Sequence, residues 1–76
     1  MFNIRKETLE RLRKAYPTGA RVELVQMSDP YKTRLFPGAR GTVVLVDDIG
    51  TVHVRWDCGS SLGVVYGEDL CRVIKE

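Results

Sequence analysis

The segment TVHVRW, residues 51–56, restricts the fold more than any other stretch of this chain, because apolar and polar side chains alternate along it. Val52, Val54 and Trp56 share one face of an extended strand, and the residues between them share the other face. The flanking sequences, DDIG and DCGS, are turn sequences in which a glycine supplies backbone conformations that other residues avoid. The segment is therefore predicted to be a half-buried antiparallel strand between two hairpin turns.

Four other short segments have the alternation or the composition of strands. They are ARVELVQM (20–27), RGTVVLVD (40–47), SSLGVVY (60–66) and CRVI (71–74). A long loop over residues 28–38 separates the first two, and GEDL at 67–70 is predicted to be a one-turn helix before the last strand. Five short strands joined by tight turns predict a mostly β fold, a small five-stranded SH3-like barrel whose closure removes exposed sheet edges.

Residues 3–16 have instead the spacing of an amphipathic helix. The apolar stripe of this helix consists of Ile4, Leu9, Leu12 and Tyr16. Asn3 is predicted to cap the start of the helix, and Pro17 to end it. Because an isolated helix of this length is marginal in water, the stripe is predicted to dock on the barrel of the same chain. The chain of 76 residues is predicted to form a single domain, with the helix in residues 1–18 and the barrel in residues 19–76.

Four short motifs follow one another along the predicted barrel. They are MSDPY at 27–31, PGARGTV at 37–43, DDIG at 47–50 and WDCGSSL at 56–62. This series resembles domain-of-unknown-function family 4314, small proteins of Gram-positive bacteria, their phages and mobile elements. In pattern it is also similar to the Mind bomb/HERC2 domain, an SH3-like module of large ubiquitin ligases. The resemblance covers residues 19–74 and implies a fold and a biological setting, since family 4314 has no established activity to carry over.

The cysteines and the hydropathy exclude several classes of protein. Cys58 and Cys71 are the only cysteines, and a single histidine cannot complete a four-ligand zinc site with them at a familiar spacing, so no metal and no cofactor is predicted. Two free thiols are expected in a reducing compartment, and a disulfide between them in an oxidising one. No apolar run reaches the length of about 18 residues that a membrane span requires, and no leader sequence is visible. A cytoplasmic location is predicted.

No residue pattern indicates catalysis. His53, the only histidine, lies on the strand face opposite Trp56, and no spacing pairs it with a nucleophile. An exposed strand histidine is expected. Aspartates at Asp47, Asp48 and Asp57 are expected for their role in hairpin turns rather than as metal ligands. The chain is predicted not to be an enzyme.

The predicted partner-binding residues come from the long loop and from strand faces that meet solvent. They are Tyr31, Lys32, Arg34, Phe36, Arg40, Arg55, Trp56 and Tyr66. The loop mixes aromatic and basic side chains, which suits a protein hot spot or base stacking, although Leu35 and Phe36 could equally be core residues. Trp56 and Tyr66 are either core residues or residues at a binding surface. Arg21 extends a basic patch with Arg40 and Arg55 if their strand faces meet solvent.

Two hypotheses of function follow. The first is a binding module, a phage or mobile-element accessory protein, that docks on a larger host or phage protein, for example as an inhibitor of a host defence or processing enzyme. The net charge of only +2 agrees with a protein partner. The alternative is an RNA- or DNA-binding domain, since PGARGTV is also similar to the KOW motif. That domain would use the basic helix face and the loop residues Lys32, Arg34 and Arg40, with Tyr31 or Phe36 stacking on bases.

Overall fold

The protein, seen here as a computed structural model that describes residues 4–28 and 34–75, is mostly β, with five antiparallel strands in one sheet and one helix. The elements are α1 (Lys6–Ala15), β1 (Arg21–Gln26), β2 (Arg40–Val46), β3 (Thr51–Trp56), β4 (Gly63–Val65) and β5 (Leu70–Val73). The predicted fold class, strand number and single helix are confirmed. The one helix in these ranges has 10 residues, about half of what a bilayer crossing needs.

The five strands lie in the order β4-β3-β2-β1-β5, so that β5 returns to pair with β1. No ladder joins β4 to β5 within the described part of the chain, so the predicted barrel is not closed by backbone hydrogen bonds. We call the gap between these two strands the seam. The carboxylate of Asp69 lies across the seam, where it accepts hydrogen bonds from the backbone N–H of Val65 (3.1 Å) and of Ser28 (2.9 Å). The Asp69 side chain thus supplies hydrogen bonds at the seam, where no backbone ladder forms.

The core lies on one face of the sheet, and the helix packs against it. Its buried members are Val22, Leu24, Met27, Leu35, Val43, Val46, Val52, Val54, Trp56, Val64 and Cys71. Most of them occupy alternate strand positions, as the period of two predicts. The exceptions are Met27, which follows β1, and Leu35, which comes from the long loop. In its neighbour Phe36 the side chain is 48% exposed, so one of the two apolar loop residues is a core residue and the other is not.

The helix packs on its own sheet, as predicted. Leu9, Leu12 and Tyr16 contact the core, and the Tyr16 hydroxyl donates a hydrogen bond of 2.7 Å to the carbonyl of Cys71 on β5. The predicted N-cap was wrong. The helix begins at Lys6, with Arg5 as an N-cap that makes no side-chain hydrogen bond, and Asn3 lies outside the described residues.

The segment between β4 and β5 also differs from its prediction. The predicted one-turn helix at 67–70 is a turn, in which the backbone N–H groups of Glu68 and Asp69 both donate to the carbonyl of Val65. Gly67 has a φ of +90°, which takes the chain out of the helical region. The predicted strand segment 60–66 is also shorter in the structure. β4 contains only three residues, so the turn begins at Tyr66, which was predicted to lie in the strand.

The two cysteines are both free thiols in different surroundings. Cys71 is buried, and burial raises the pKa of its thiol to about 11, whereas Cys58 is exposed in the turn after β3. We expect one thiol per chain to react rapidly with a disulfide reagent at neutral pH, and the second only after denaturation, because the thiolate is the nucleophile. A Cys58→Ser variant should lose the rapid phase. A rapid phase that survives in this variant would show that Cys71 is accessible.

Candidate functional site on the outer face of the sheet

The outer face of the sheet carries its charged side chains in cross-strand rows. Arg21 on β1 pairs with Thr42 on β2, and Thr42 pairs in turn with Arg55 on β3. Side chains at paired positions lie about 5 Å apart on the same face of a sheet. Arg21 uses this proximity to donate a hydrogen bond of 3.0 Å to the Thr42 hydroxyl. Two arginines therefore flank one small polar residue.

A second row runs beside the first. Glu23 on β1 lies between Arg72 on β5 and Arg40 on β2, its partners in the two ladders. The Arg72 guanidinium donates to Glu23 Oε1 over 3.0 Å, and its side chain remains 66% exposed. The row continues past β3, where the backbone N–H of Asp57 donates to the carbonyl of Arg40 over 2.8 Å.

Asp57 joins the two rows through its carboxylate. Both oxygens accept hydrogen bonds from Arg21, at 2.8 and 2.6 Å. These hydrogen bonds are the main reason that the pKa of Asp57 lies below its ordinary value, and the positive charges of Arg21 and Arg40 add to them. Asp57 is therefore ionised at neutral pH.

We call this surface the arginine face and define it as Arg21, Glu23, Arg40, Arg55, Asp57 and Arg72. Its four arginines exceed its two carboxylates by two charges, which equals the net charge of +2 of the whole chain. Arg55 has no carboxylate partner within residues 4–28 and 34–75. The arginine face therefore carries an excess of positive charge.

A β-bulge places an apolar pair next to this charge. The ladder between β2 and β3 matches Val43 with Val54 and then Leu45 with His53, so Val44 is an extra residue. A bulge interrupts the alternation of side chains, and here two successive apolar residues both meet solvent. Val44 is 43% exposed and Leu45 47% exposed. We call these two residues the apolar step.

The apolar step forms one side of a shallow groove of about 320 Å³. The groove is lined by Val44, Leu45, His53, Val54, Arg55 and Ser61. Arg55 thus belongs to the groove as well as to the arginine face. The site therefore offers apolar contact and positive charge side by side.

His53 is held by the turn that precedes its strand. One oxygen of the Asp47 carboxylate accepts hydrogen bonds from the backbone N–H groups of Ile49 (3.1 Å) and Thr51 (2.9 Å), and the other lies 2.8 Å from His53 Nε2. The predicted role of Asp47 in the turn is confirmed. Its contact with His53, the third residue of the following strand, was not predicted. The contact orients the imidazole at the groove.

The Asp47 carboxyl should make stability depend on pH. Partial burial raises its pKa, but the hydrogen bonds from His53, Thr51 and Ile49 outweigh burial and hold the pKa below its ordinary value. A folded-state pKa below the unfolded value, about 3.9, stabilises the fold above that pH, and the contribution is lost as the pH falls through the folded-state pKa. We expect Asp47→Asn to lower stability at pH 7 by about 1 kcal/mol. Urea denaturation at several pH values should show a shallower acid loss in this variant, and an equal acid loss would contradict the assignment.

The structure places the predicted binding residues in different regions. Arg40 and Arg55 come together on the arginine face, with Arg21 beside them as the predicted patch requires. Arg34 and Phe36 are exposed on the loop, where Arg34 has a φ of +58°. Tyr31 and Lys32 lie outside the described residues.

Trp56 belongs to the core. It is 1% exposed, and its indole Nε1 donates a hydrogen bond of 2.8 Å to the carbonyl of Leu62. Of the two alternatives for this residue, the buried position is the one that the structure shows, and the indole has no surface to present to a partner in this fold. Tyr66 is 39% exposed and lies away from the arginine face, beside a separate cleft between α1 and the seam.

The cleft at the seam is smaller and almost uncharged. Its volume is about 150 Å³. Its lining is Leu12, Tyr16, Gly50, Val52, Val64, Tyr66, Gly67, Asp69, Leu70 and Cys71. Asp69 is the only carboxylate in this lining, and it is already hydrogen-bonded across the seam. The cleft therefore has less to offer a polar ligand than the groove at the apolar step.

The residues that the structure describes contain no cluster of three or more side chains suited to hold a metal ion. The fold and the site together define a small, mostly β domain whose most distinctive surface is cationic and partly apolar. Residues 5–74 match the sequence pattern of the family described as Domain of unknown function (DUF4314), and the chain belongs to this family. The match includes α1, so it extends further than the resemblance over residues 19–74. No curated protein and no solved structure matches the chain.

Proposed function

We propose that this protein is a non-enzymatic binding module that docks on a larger protein through the apolar step and the arginine face. The observation that carries the proposal is the bulge in β2, which exposes Val44 and Leu45 together beside Arg55. Protein interfaces combine an apolar centre with arginine more often than other surfaces do. A sheet face has no need of two adjacent exposed aliphatic side chains for its own stability.

The setting that we propose is a phage or mobile-element accessory protein in the cytoplasm of a host cell. Inhibition of a host defence or processing enzyme is the form of docking that such a setting favours. This part of the proposal is supported by the resemblance of the sequence motifs to those of small phage and mobile-element proteins. It does not rest on individual side chains.

A protein partner is favoured over nucleic acid because carboxylates offset much of the positive charge. Arg21 is bound by Asp57 and Arg72 by Glu23, and on the helix Arg13 is bound by Asp48 at 2.7 Å. A nucleic acid would place phosphates along the whole face, beside Asp57 and Glu23 as well as beside the arginines, and the apolar step would add nothing to a phosphate contact. Nucleic acid remains the second candidate, since the four arginines of the arginine face are an observation in its favour.

The test is a pull-down with the tagged protein from a lysate of a Gram-positive host, with and without nuclease. Leu45→Gln replaces the larger of the two apolar side chains of the apolar step with a polar one. Ile49→Gln makes the same change at another exposed aliphatic residue, in the turn before β3, and is the matched control. We expect a protein that survives nuclease and is recovered about tenfold less with Leu45→Gln, as for loss of a hot-spot residue, but is unchanged with Ile49→Gln.

Circular dichroism should show that both variants remain folded. Capture that nuclease abolishes would move the assignment to nucleic acid, and the affinity should then fall steeply with salt. Equal capture by the two variants would show that the apolar step is not the docking surface.

A further inference from the structure

We propose that the segment bound by this face is acidic and carries an apolar anchor residue next to a carboxylate. This inference rests on the proposed docking function and adds the chemistry of the partner. It follows from the charge of the arginine face, the position of Arg55 and the shape of the groove.

The charge of the arginine face determines the sign of the charge that its partner carries. The two carboxylates of the face are each bound to an arginine, Asp57 to Arg21 and Glu23 to Arg72. Arg55 has no such partner in the described ranges, so no carboxylate there compensates its charge. A basic segment would be repelled by this excess of charge, whereas an acidic segment supplies the missing counter-charge.

The groove determines what lies next to that carboxylate. Arg55 and the apolar step line the same groove of about 320 Å³, which is enough for one large aliphatic or aromatic side chain. A partner that buries such a side chain against Leu45 brings its neighbouring residue to Arg55. The recognised unit is therefore an apolar residue adjacent to an aspartate or glutamate.

The rows of the sheet favour a second carboxylate. Arg21 and Arg55 flank Thr42 from the two neighbouring strands, so their backbones lie about 10 Å apart, or two strand spacings. An extended chain covers this distance in about three residues. We expect a second acidic residue about three positions from the first, close enough to share Arg21 with Asp57.

The experiment measures binding of defined peptides by fluorescence anisotropy. The probe is a labelled decapeptide of aspartate and glutamate with two leucines. Its comparison peptides replace the leucines by serine or the acidic residues by lysine, and labelled oligothymidine represents nucleic acid. The protein carries Arg55→Glu, or Arg11→Glu as a matched control with the same change of charge at an exposed position of α1.

We expect the acidic peptide with leucines to bind and the lysine peptide not to bind. Arg55→Glu should weaken this binding about tenfold, through loss of one ion pair and gain of one repulsion, and Arg11→Glu by less than about twofold. Raising the salt concentration from low to physiological should weaken the binding, because the contacts are exposed.

Three results would overturn the inference. They are no binding of the acidic peptide at about 1 mM protein, equal effects of the two arginine variants, or tighter and Arg55-dependent binding of oligothymidine. The proposed function would survive the first two results if Leu45→Gln still lowered recovery of a protein from lysate about tenfold. If that capture were also unaffected, both proposals would fail.

Discussion

Replacing Trp56 with alanine is expected to remove a large part of the free energy of unfolding of the domain. Trp56 is the largest fully buried side chain, and truncation of a buried tryptophan costs about 3–5 kcal/mol. A domain of this size has a total free energy of unfolding of roughly 4–11 kcal/mol, at 0.05–0.15 kcal/mol per residue. The variant also leaves the carbonyl of Leu62 without its indole donor. Far-UV circular dichroism and urea denaturation would measure the loss.

Trp56→Phe is the control for this experiment. Phenylalanine keeps an aromatic ring in the core but donates no hydrogen bond, so we expect a folded protein that is less stable by about 1–3 kcal/mol. A Trp56→Ala variant that unfolds at nearly the same urea concentration as the unmodified protein would show that the sheet is not organised around the indole.

The second large effect is expected for Gly41→Ala in β2. A Cβ at this position would lie 2.6 Å from Val54 Cγ1, 2.7 Å from the carbonyl oxygen of Arg55 and 3.0 Å from Trp56 Cα. Two of these atoms belong to the backbone of β3, so the ladder between β2 and β3 would have to shift. We expect a loss of about 3 kcal/mol or more, at the upper end for an overpacked core. The midpoint of thermal or urea denaturation measures it.

Gly59→Ala is the control that separates the cost of steric overlap at Gly41 from the cost of an unfavourable backbone conformation. Gly59 lies in the turn after β3 with a φ of +98°, and a Cβ there would meet no atom within 4 Å. Its only cost is the positive φ, which should be about 1–2 kcal/mol. If the two glycine variants were equally stable, close approach of β2 and β3 would not be the reason for Gly41.

The sequence predicted the local structure well where one physical signal dominates. The alternation around Val54 predicted the buried face of β3, and Gly50, with a φ of +86°, marked the turn before it. The seam was not predicted, because whether two edge strands join depends on their length and curvature in space. Asp69 in GEDL was interpreted as part of a helix, although its carboxylate is bonded across the seam.

The site was predictable only in part, for a similar reason. Arg40 and Arg55 were predicted as binding residues on the condition that their strand faces meet solvent. Arg72 was not, since its place beside Glu23 depends on the pairing of the first strand with the last. The exposed position of Leu45 depends on a bulge, and the periodicity of RGTVVLVD does not predict a bulge.

The pairing of β5 with β1 has a consequence for how the chain acquires its structure. Val22 pairs with Val73, so the first strand to be synthesised obtains its second neighbour only from the last strand. Until then one edge of β1 is open, and an open edge can pair with another chain. Contacts between such distant positions also slow folding. During synthesis, therefore, self-association is expected to occur through the open edge of β1. This edge is covered once residues 70–73 have left the ribosome and paired with β1.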